Sequence, residues 1–450
     1  MDYCWGKHVN TLNILKKNAL EIFYAGLKAA DPDIWIRTFI LLEGNLLKIG
    51  DRVYNLDQYK NIYIAGFGKA SGFMAATLEE LLMERIKAGI VNVRNGYVAP
   101  CKIIKVNAAG HPIPDEASIK GTLEIIQLLK DAEKNDLVFC LVSGGGSALF
   151  ELPFDGISLE DIQKITKLLL NSGARIDEVN AIRKHISQVK GGRLVKICKA
   201  EIISLILSDV VNDTLSAIAS GPTSPDASTF MDCKMILMKY DLFHKIPSSI
   251  SKHIQNGLDG TIEETPKSTD KIFDKICNII IGNNRTALKT SYQKAIELGY
   301  NTSILSSYIK GEAREVAKVF SAIAREIHWY GGPVKRPACI IAGGETTVRV
   351  HGNGMGGRNQ ELVLSAAMEI DGLENTVILS VGTDGIDGNT NAAGAIADGS
   401  TVIRAKGIKM NPETYLDDNN SYSFFKGLND LIVTGPTRTN VMDIMLLIVG

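Results

Sequence analysis

Five short stretches of this chain combine residue types that bind anions or hold metal ions. In Gly352-Asn353-Gly354-Met355-Gly356-Gly357-Arg358-Asn359-Gln360-Glu361 a glycine-rich turn ends on an arginine where a helical pattern begins, since Leu362, Val363, Ala366, Ala367 and Ile370 recur at helical spacing. Backbone N–H groups left free at the helix start and the Arg358 guanidinium then meet at one point, with Asn359 beside them, and a phosphate or carboxylate fits there. A plain loop-to-helix junction with a surface arginine is the competing reading of this stretch taken alone. Gly66-Phe67-Gly68-Lys69 follows the apolar run Asn61-Ile62-Tyr63-Ile64-Ala65 and precedes a helix rich in Ala, Leu and Glu. A Gly-x-Gly turn at such a junction serves a dinucleotide or, with lysine at the helix start, a carboxylate or phosphate. The dinucleotide form lacks its acidic ribose partner, because the next strand ends in Val93-Arg94-Asn95.

The third stretch, Leu141-Val142-Ser143-Gly144-Gly145-Gly146-Ser147-Ala148, places three glycines between two hydroxyls after a strand. The backbone of Ser143, Gly144, Gly145, Gly146 and Ser147 can approach a ligand closely and form a nest of N–H groups suited to a polyphosphate, whereas a simple tight turn would need one glycine. Neither a Walker A loop nor a Gly-x-Ser-x-Gly elbow occurs anywhere in the chain. Two acidic loops complete the set: Ser208-Asp209-Val210-Val211-Asn212-Asp213 and Gly382-Thr383-Asp384-Gly385-Ile386-Asp387-Gly388. Carboxylates after strands hold magnesium through one or two oxygens and waters, although Asp-Gly pairs are also ordinary turn formers. Asp209 is the candidate to accept the proton of an attacking hydroxyl, and Asp213, Asp384 and Asp387 are the candidates for the metal. Glu345, in Gly343-Gly344-Glu345-Thr346-Thr347, is a further candidate for a ligand hydroxyl. The basic run from Arg183 to Arg193 lacks interleaved aromatics and reads as a solvated helix face with one or two phosphate contacts. Within it His185 reads as a satisfied, partly buried histidine, and His111 as the orienting residue of a rigid turn.

The elements that must position these residues alternate between helix and strand, which predicts an α/β protein with largely parallel sheets. Residues 8–48 read as helical. Strands are expected at 61–65, 90–94, 103–107, 137–142 and 202–207, and a second βα series at 277–281, 301–305, 338–342, 376–381 and 444–449. The polar stretch 255–275 is the linker candidate. It divides the chain into an N-terminal domain, residues 1–265, and a C-terminal domain, residues 270–450, with the leading helices free to pack on either. Two α/β domains facing a cleft is the simplest layout.

Composition narrows the partners. The chain is 45% hydrophobic over 450 residues, enough for two or three sizeable cores. Its 49 basic and 50 acidic residues nearly cancel, which argues against nucleic acid and anionic membrane as partners. Seven cysteines without any Cys-x-x-Cys pair, and no apolar run long enough to span a bilayer, point to a cytoplasmic protein without zinc or disulfides. An exposed hydrophobic N-terminal helix would support a homodimer.

Residues 66–70, 111–116, 142–149, 180–194, 208–225, 343–361, 382–394 and 434–441 together resemble the glycerate 2-kinase family, also called the MOFRL family. The resemblance spans nearly the whole chain, its motifs are long, and they occur in the family's order. It implies ATP-dependent phosphorylation of D-glycerate with a divalent cation, usually magnesium. It also implies a Rossmann-like N-terminal domain, a smaller C-terminal α/β domain and an active site in the cleft between them. By the same resemblance Lys69 and Arg358 match the basic pair that faces the substrate and the transferred phosphate. Arg438 departs from the family pattern, which more often carries glycine or a small residue there. The rival readings from the residues themselves are an NAD(P)-dependent hydroxy-acid oxidoreductase and a non-catalytic anion-sensing module.

Overall fold

A computed structural model describes residues 2–450, with side chains from residue 11 onward. Two compact units divide the chain: residues 32–281 form one, and residues 1–31 with 282–450 form the other. The division falls later than the sequence expectation of 265–270, because the strand Ile276–Gly282 joins the sheet of the first unit. Cys4 lies outside the described side chains, and the other six cysteines are free.

The first unit opens with a helix, Pro32–Phe39, and a small antiparallel sheet of β1 (Ile40–Glu43), β2 (Leu46–Ile49) and β3 (Arg52–Asn55). The expected helix over residues 8–48 is therefore corrected. It breaks before Pro32, which cannot continue a helix interior, and the segment from Ile40 pairs as strands around Glu43-Gly44-Asn45, with Gly44 at φ +61°. The main sheet follows as β4 (Ile62–Phe67), β5 (Ile86–Arg94), β6 (Ile104–Ala109), β7 (Leu137–Val142), β8 (Glu201–Leu207) and β9 (Ile276–Gly282). Its spatial order is β6-β5-β4-β7-β8-β9, with β4 to β8 parallel throughout. The central strand β7, Leu-Val-Phe-Cys-Leu-Val, is buried at every position, the pattern demanded of a strand covered on both faces. Capping boxes fix several helix starts: Asp115 accepts from the Ser118 N–H at 2.9 Å, and Ser158 and Thr229 do the same for their helices.

This order reverses between β4 and β7, and a ligand of an open α/β sheet binds at the carboxyl ends of the strands flanking that reversal. The two turns that leave β4 and β7 are Gly66-Phe67-Gly68-Lys69 and residues 143–147. Stacked rings of Phe67 and Phe150, with centroids 4.1 Å apart, pack them together.

The second unit is mixed rather than largely parallel, a second correction. Its strands β10 (Asn301–Ile309), β11 (Ala338–Gly344), β12 (Thr376–Gly382), β13 (Gly394–Asp398), β14 (Leu431–Ile432) and β15 (Asp443–Val449) run in the order β10-β11-β15-β12-β13-β14. Only β10 and β11 are parallel; β15 returns between β11 and β12 antiparallel to both. The helix Asp2–Ala29 belongs to this unit. Its Ala19, Ile22 and Phe23 are buried, and the Ser291 hydroxyl of the helix Asn284–Glu297 donates to Ile22 O at 3.0 Å. These described residues of the helix thus pack within the unit, while Ile14 and Tyr24 remain exposed. Among the described residues no helix is long and apolar enough to cross a membrane.

Asp387 starts the helix Arg358–Glu369. It accepts from the backbone N–H groups of Asn359 at 3.1 Å and Gln360 at 2.9 Å, supplying from a distant loop the cap that Gly357 cannot. Burial lifts its carboxyl to about 6, against the pull of those N–H groups and of Arg358.

Two outcomes follow from these positions. Gly68 sits at φ +133°, and a Cβ there would lie 2.2 Å from Ser143 Oγ and 2.5 Å from Ser143 O, so Gly68→Ala should cost about 2–5 kcal/mol in urea unfolding. Unchanged stability would contradict the turn geometry. For Asp387 the folded value stands above the unfolded one, so its contribution is complete below about pH 4 and is lost as pH rises through about 6. From about pH 4 to about pH 7.5, wild type should lose up to about 3 kcal/mol relative to Asp387→Asn. A pH-independent difference between the two proteins would refute this assignment.

Candidate active site

In the first unit the structure brings together Lys69 and the whole three-glycine loop. The Lys69 N–H donates to Gly144 O at 2.8 Å, and the Ala70 N–H donates to Ser143 Oγ at 2.9 Å. Gly145 adopts φ +82° and caps the short helix Gly146–Leu149. A Cβ on it would lie 2.9 Å from the His111 ring and 3.3 Å from Lys69 Cγ, so Lys69, Gly145 and His111 share one wall. Lys69 is only 8% exposed. Ser147 Oγ lies 2.8 Å from Ser220 Oγ, which in turn donates to Asn180 Oδ1 at 3.3 Å. That contact ties the glycine loop to the far end of the acidic loop leaving β8. Asp209 and Asp213 stand near the start of that loop, half-buried, with Asn212 and Asp213 both at positive φ.

The basic run beside this site is not a solvated face. Lys184 pairs with buried Asp226 at 3.1 Å, Lys190 with buried Glu151 at 2.5 Å, and the Arg193 guanidinium lies 5.0 Å over the Phe154 ring. His185 is fully buried, held by Ala181 O at 2.8 Å and Glu264 at 3.0 Å, as a satisfied histidine should be. Helix and loop backbone around residues 176–193 fold over Lys184, Lys190 and Arg193 because each of these three finds a partner inside the unit.

In the second unit Arg358, Asn359, Glu345 and Asp387 converge on a residue the sequence reading passed over, Asp443. It opens β15, is completely buried, and stands in register opposite both Gly344 and Gly382. The Arg358 Nε and one terminal nitrogen donate to its two oxygens at 2.6 and 2.9 Å, a bidentate pair. Asn359 Nδ2 adds a third bond at 3.0 Å. The remaining terminal nitrogen of Arg358 lies 3.1 Å from Glu345, which is 46% exposed on its side chain. Burial alone would weaken the guanidinium's hold on its proton, but Asp443, with Glu345 and Asp387 behind it, raises it well above its ordinary value. The signal for Asp443 in the sequence is an acid placed directly before the wholly apolar run Ile444–Val449.

The metal expectation fares differently at its three positions. Both oxygens of Asp387 accept from Asn359 and Gln360, so this residue caps the helix Arg358–Glu369. Asp384 accepts from the Ile386 N–H at 3.2 Å within its own turn. Among the described residues no group of three or more His, Cys, Asp or Glu side chains is placed to hold a metal ion. Asp213 stands half-buried in the loop after β8, at φ +53°. Arg438 has φ +69°, the region that favours glycine, which accounts for the small residue more usual in that position.

Comparison with known proteins adds a separate line of observation. The model of a domain of unknown function (DUF4147) matches residues 18–255, and the MOFRL family model matches residues 338–443. The glycerate 2-kinase of Pyrococcus horikoshii is 42% identical over 438 residues, 97% of each chain. The D-glycerate 2-kinase of Thermotoga maritima is 41% identical over 96% of this chain and 98% of its own. An Agrobacterium vitis protein with the provisional name hydroxypyruvate reductase is 38% identical over 86% of this chain and 99% of its own. The crystal structure of a glycerate kinase from Thermotoga maritima superimposes with a TM-score of 0.84 at 39% identity, over 97% of this chain and 100% of that one. The chain belongs to the glycerate 2-kinase family, with a DUF4147 region followed by a MOFRL domain.

Proposed function

We infer that this protein transfers the γ-phosphoryl group of ATP to the 2-hydroxyl of D-glycerate, giving 2-phosphoglycerate and ADP. One observation carries the reading: in a chain of this family, Lys69 sits beside a three-glycine loop at the topological switch point of a parallel sheet. Phosphoryl transfer asks for positioned positive charge and N–H donors rather than a strong nucleophile, and this arrangement supplies both. Lys69 and Arg358 neutralise charge as the phosphoryl group moves. Asp443 fixes the guanidinium from one edge, and exposed Glu345 is the partner an incoming phosphate would displace. The backbone N–H groups of Gly144, Gly145 and Ser147 hold phosphate oxygens, and Asp209 accepts the proton of the attacking hydroxyl. One or two carboxylates, with Asp213 and Asp384 as candidates, would hold a magnesium ion, which would supply charge neutralisation at the phosphates. The enzyme acts in the cytoplasm on small molecules.

The name carried by the Agrobacterium vitis relative favours a second reading, reduction of a hydroxy-acid precursor with NAD(P)H. Against it, β5 ends in Arg94, whose guanidinium lies 5.8 Å over the Tyr97 ring, and presents no acid for a ribose.

A coupled assay for ADP with D-glycerate, ATP and magnesium should show turnover, with no NADH or NADPH oxidation in the presence of hydroxypyruvate. Lys69→Ala and Arg358→Ala should each lower kcat/KM by about 30- to 1,000-fold, the loss of about 2–4 kcal/mol of transition-state stabilisation. Wild-type rates from either folded variant would remove that residue from the mechanism. Cofactor oxidation without ADP formation would favour the second reading.

A further inference from the structure

The first unit contains a cavity of about 210 Å3 whose wall includes His111, Gly145, Ser147, Glu151 and Arg183. Its volume suits a ligand of a few heavy atoms. Its charges are arranged unlike those around it. Lys184 and Lys190, neighbours of Arg183 in sequence, each have a buried carboxylate within ion-pair distance. Among the described residues no hydrogen bond or ion pair reaches the Arg183 guanidinium. The side chain is partly buried, and burial holds it below its ordinary value, with only the Glu151 charge acting the other way.

Glu151 does not neutralise it. That carboxylate is 2% exposed and committed through Oε2 to Lys190 Nζ at 2.5 Å, and Lys190 also donates to Phe150 O at 2.9 Å. Its other oxygen, Oε1, has no hydrogen-bond partner. A guanidinium whose donors no protein group takes up, at the wall of a small cavity, is open to a ligand, and its planar fork matches a carboxylate. On the same helix, one turn before, Asn180 receives the Ser220 hydroxyl that is bonded to Ser147, so the wall opposite is held in place. Gly145 joins the cavity to Lys69, because its absent side chain leaves the His111 ring and Lys69 Cγ as neighbours across the glycine.

We propose that Arg183 is the substrate's carboxylate-binding and specificity-determining residue: the three-carbon hydroxy acid enters this cavity with its carboxylate on the guanidinium and its hydroxyls toward Glu151 and the Lys69 end. This assignment rests on the glycerate kinase reading for the identity of the acid. It divides the labour the glycine loop alone leaves open, since the acid lies on the Arg183 side and the phosphates on the Lys69 side. Neutral three-carbon alcohols, which carry no group for the guanidinium, are excluded by the same device.

The test is calorimetric titration of D-glycerate, without nucleotide, into wild type, Arg183→Met and Arg183→Lys, with thermal melts of each. Arg183→Met should bind D-glycerate about 100-fold more weakly, and Arg183→Lys, which keeps the charge but not the fork, about 10-fold more weakly. KM for ATP should stay within about twofold, and the ratio of kcat/KM for D-glycerate over glyceraldehyde should fall by about 100-fold in Arg183→Met. Arg183→Met should also melt no lower than wild type without ligand, because no hydrogen bond or ion pair is lost, and it should lose the upward shift that D-glycerate gives wild type. Glycerate affinity within about threefold of wild type in either variant overturns the proposal. If Arg183→Met does not fold, Arg183→Lys decides alone. Should wild type bind D-glycerate through Arg183 yet form no ADP, the kinase reading falls and the carboxylate site stands.

Discussion

A charge taken out of water must be met by an opposite charge or by several hydrogen bonds, and that constraint organises both units of this protein. Asp443 is completely buried at the start of β15, and the Arg358 fork and Asn359 satisfy it. Because Asp443 lies in register with the ends of β11 and β12, the same contact fixes where the helix Arg358–Glu369 begins relative to the sheet. Removing either partner would strand the other, which is how a buried pair dictates geometry without adding much net stability. In the first unit Lys190 with Glu151 and Lys184 with Asp226 obey the same rule. Arg183 departs from it, and a departure of that kind points outward, to a ligand.

The parallel sheet sets where such ligands arrive. With β4 and β7 flanking the reversal of strand order, the turns after them open to the same side, and glycines at 68 and 145 let their backbones meet. A side chain at either position would strike Ser143 or the His111 ring. The result is a glycine loop packed against the turn that carries Lys69, held by the Lys69 N–H on Gly144 O and the Ala70 N–H on Ser143 Oγ. Family membership supplies the substrate; the sheet and its turns supply a physical reason why this chain handles an anion there.

Local patterns carried much of this into the sequence. The strand of β7 is legible because every residue is apolar, and the turns after β4 and β7 are legible because three glycines and a Gly-x-Gly are rare without cause. The helix starting at Arg358 was visible from its apolar spacing, but its cap was not, since Asp387 comes from a loop nearly thirty residues away and reads alone as an Asp-Gly turn. Residues 40–48 read as the end of a helix because short strands of alternating burial carry little periodicity, and their pairing is settled by the Gly44 turn. The mixed order of the second sheet was hidden, because strand direction depends on where β15 returns and not on its composition. The basic run from Arg183 looked solvated because its carboxylate partners, Glu151 and Asp226, are distant in sequence.

The central claim, transfer of a phosphoryl group to the middle carbon of glycerate, is tested most directly by the phosphorus NMR spectrum of a reaction of this protein with D-glycerate, ATP and magnesium. The account predicts loss of the γ-phosphate resonance and growth of a monoester signal split into a doublet by the single proton on C2. A triplet, from the two protons of C3, would contradict the site of transfer, and an unchanged ATP spectrum would contradict the activity itself.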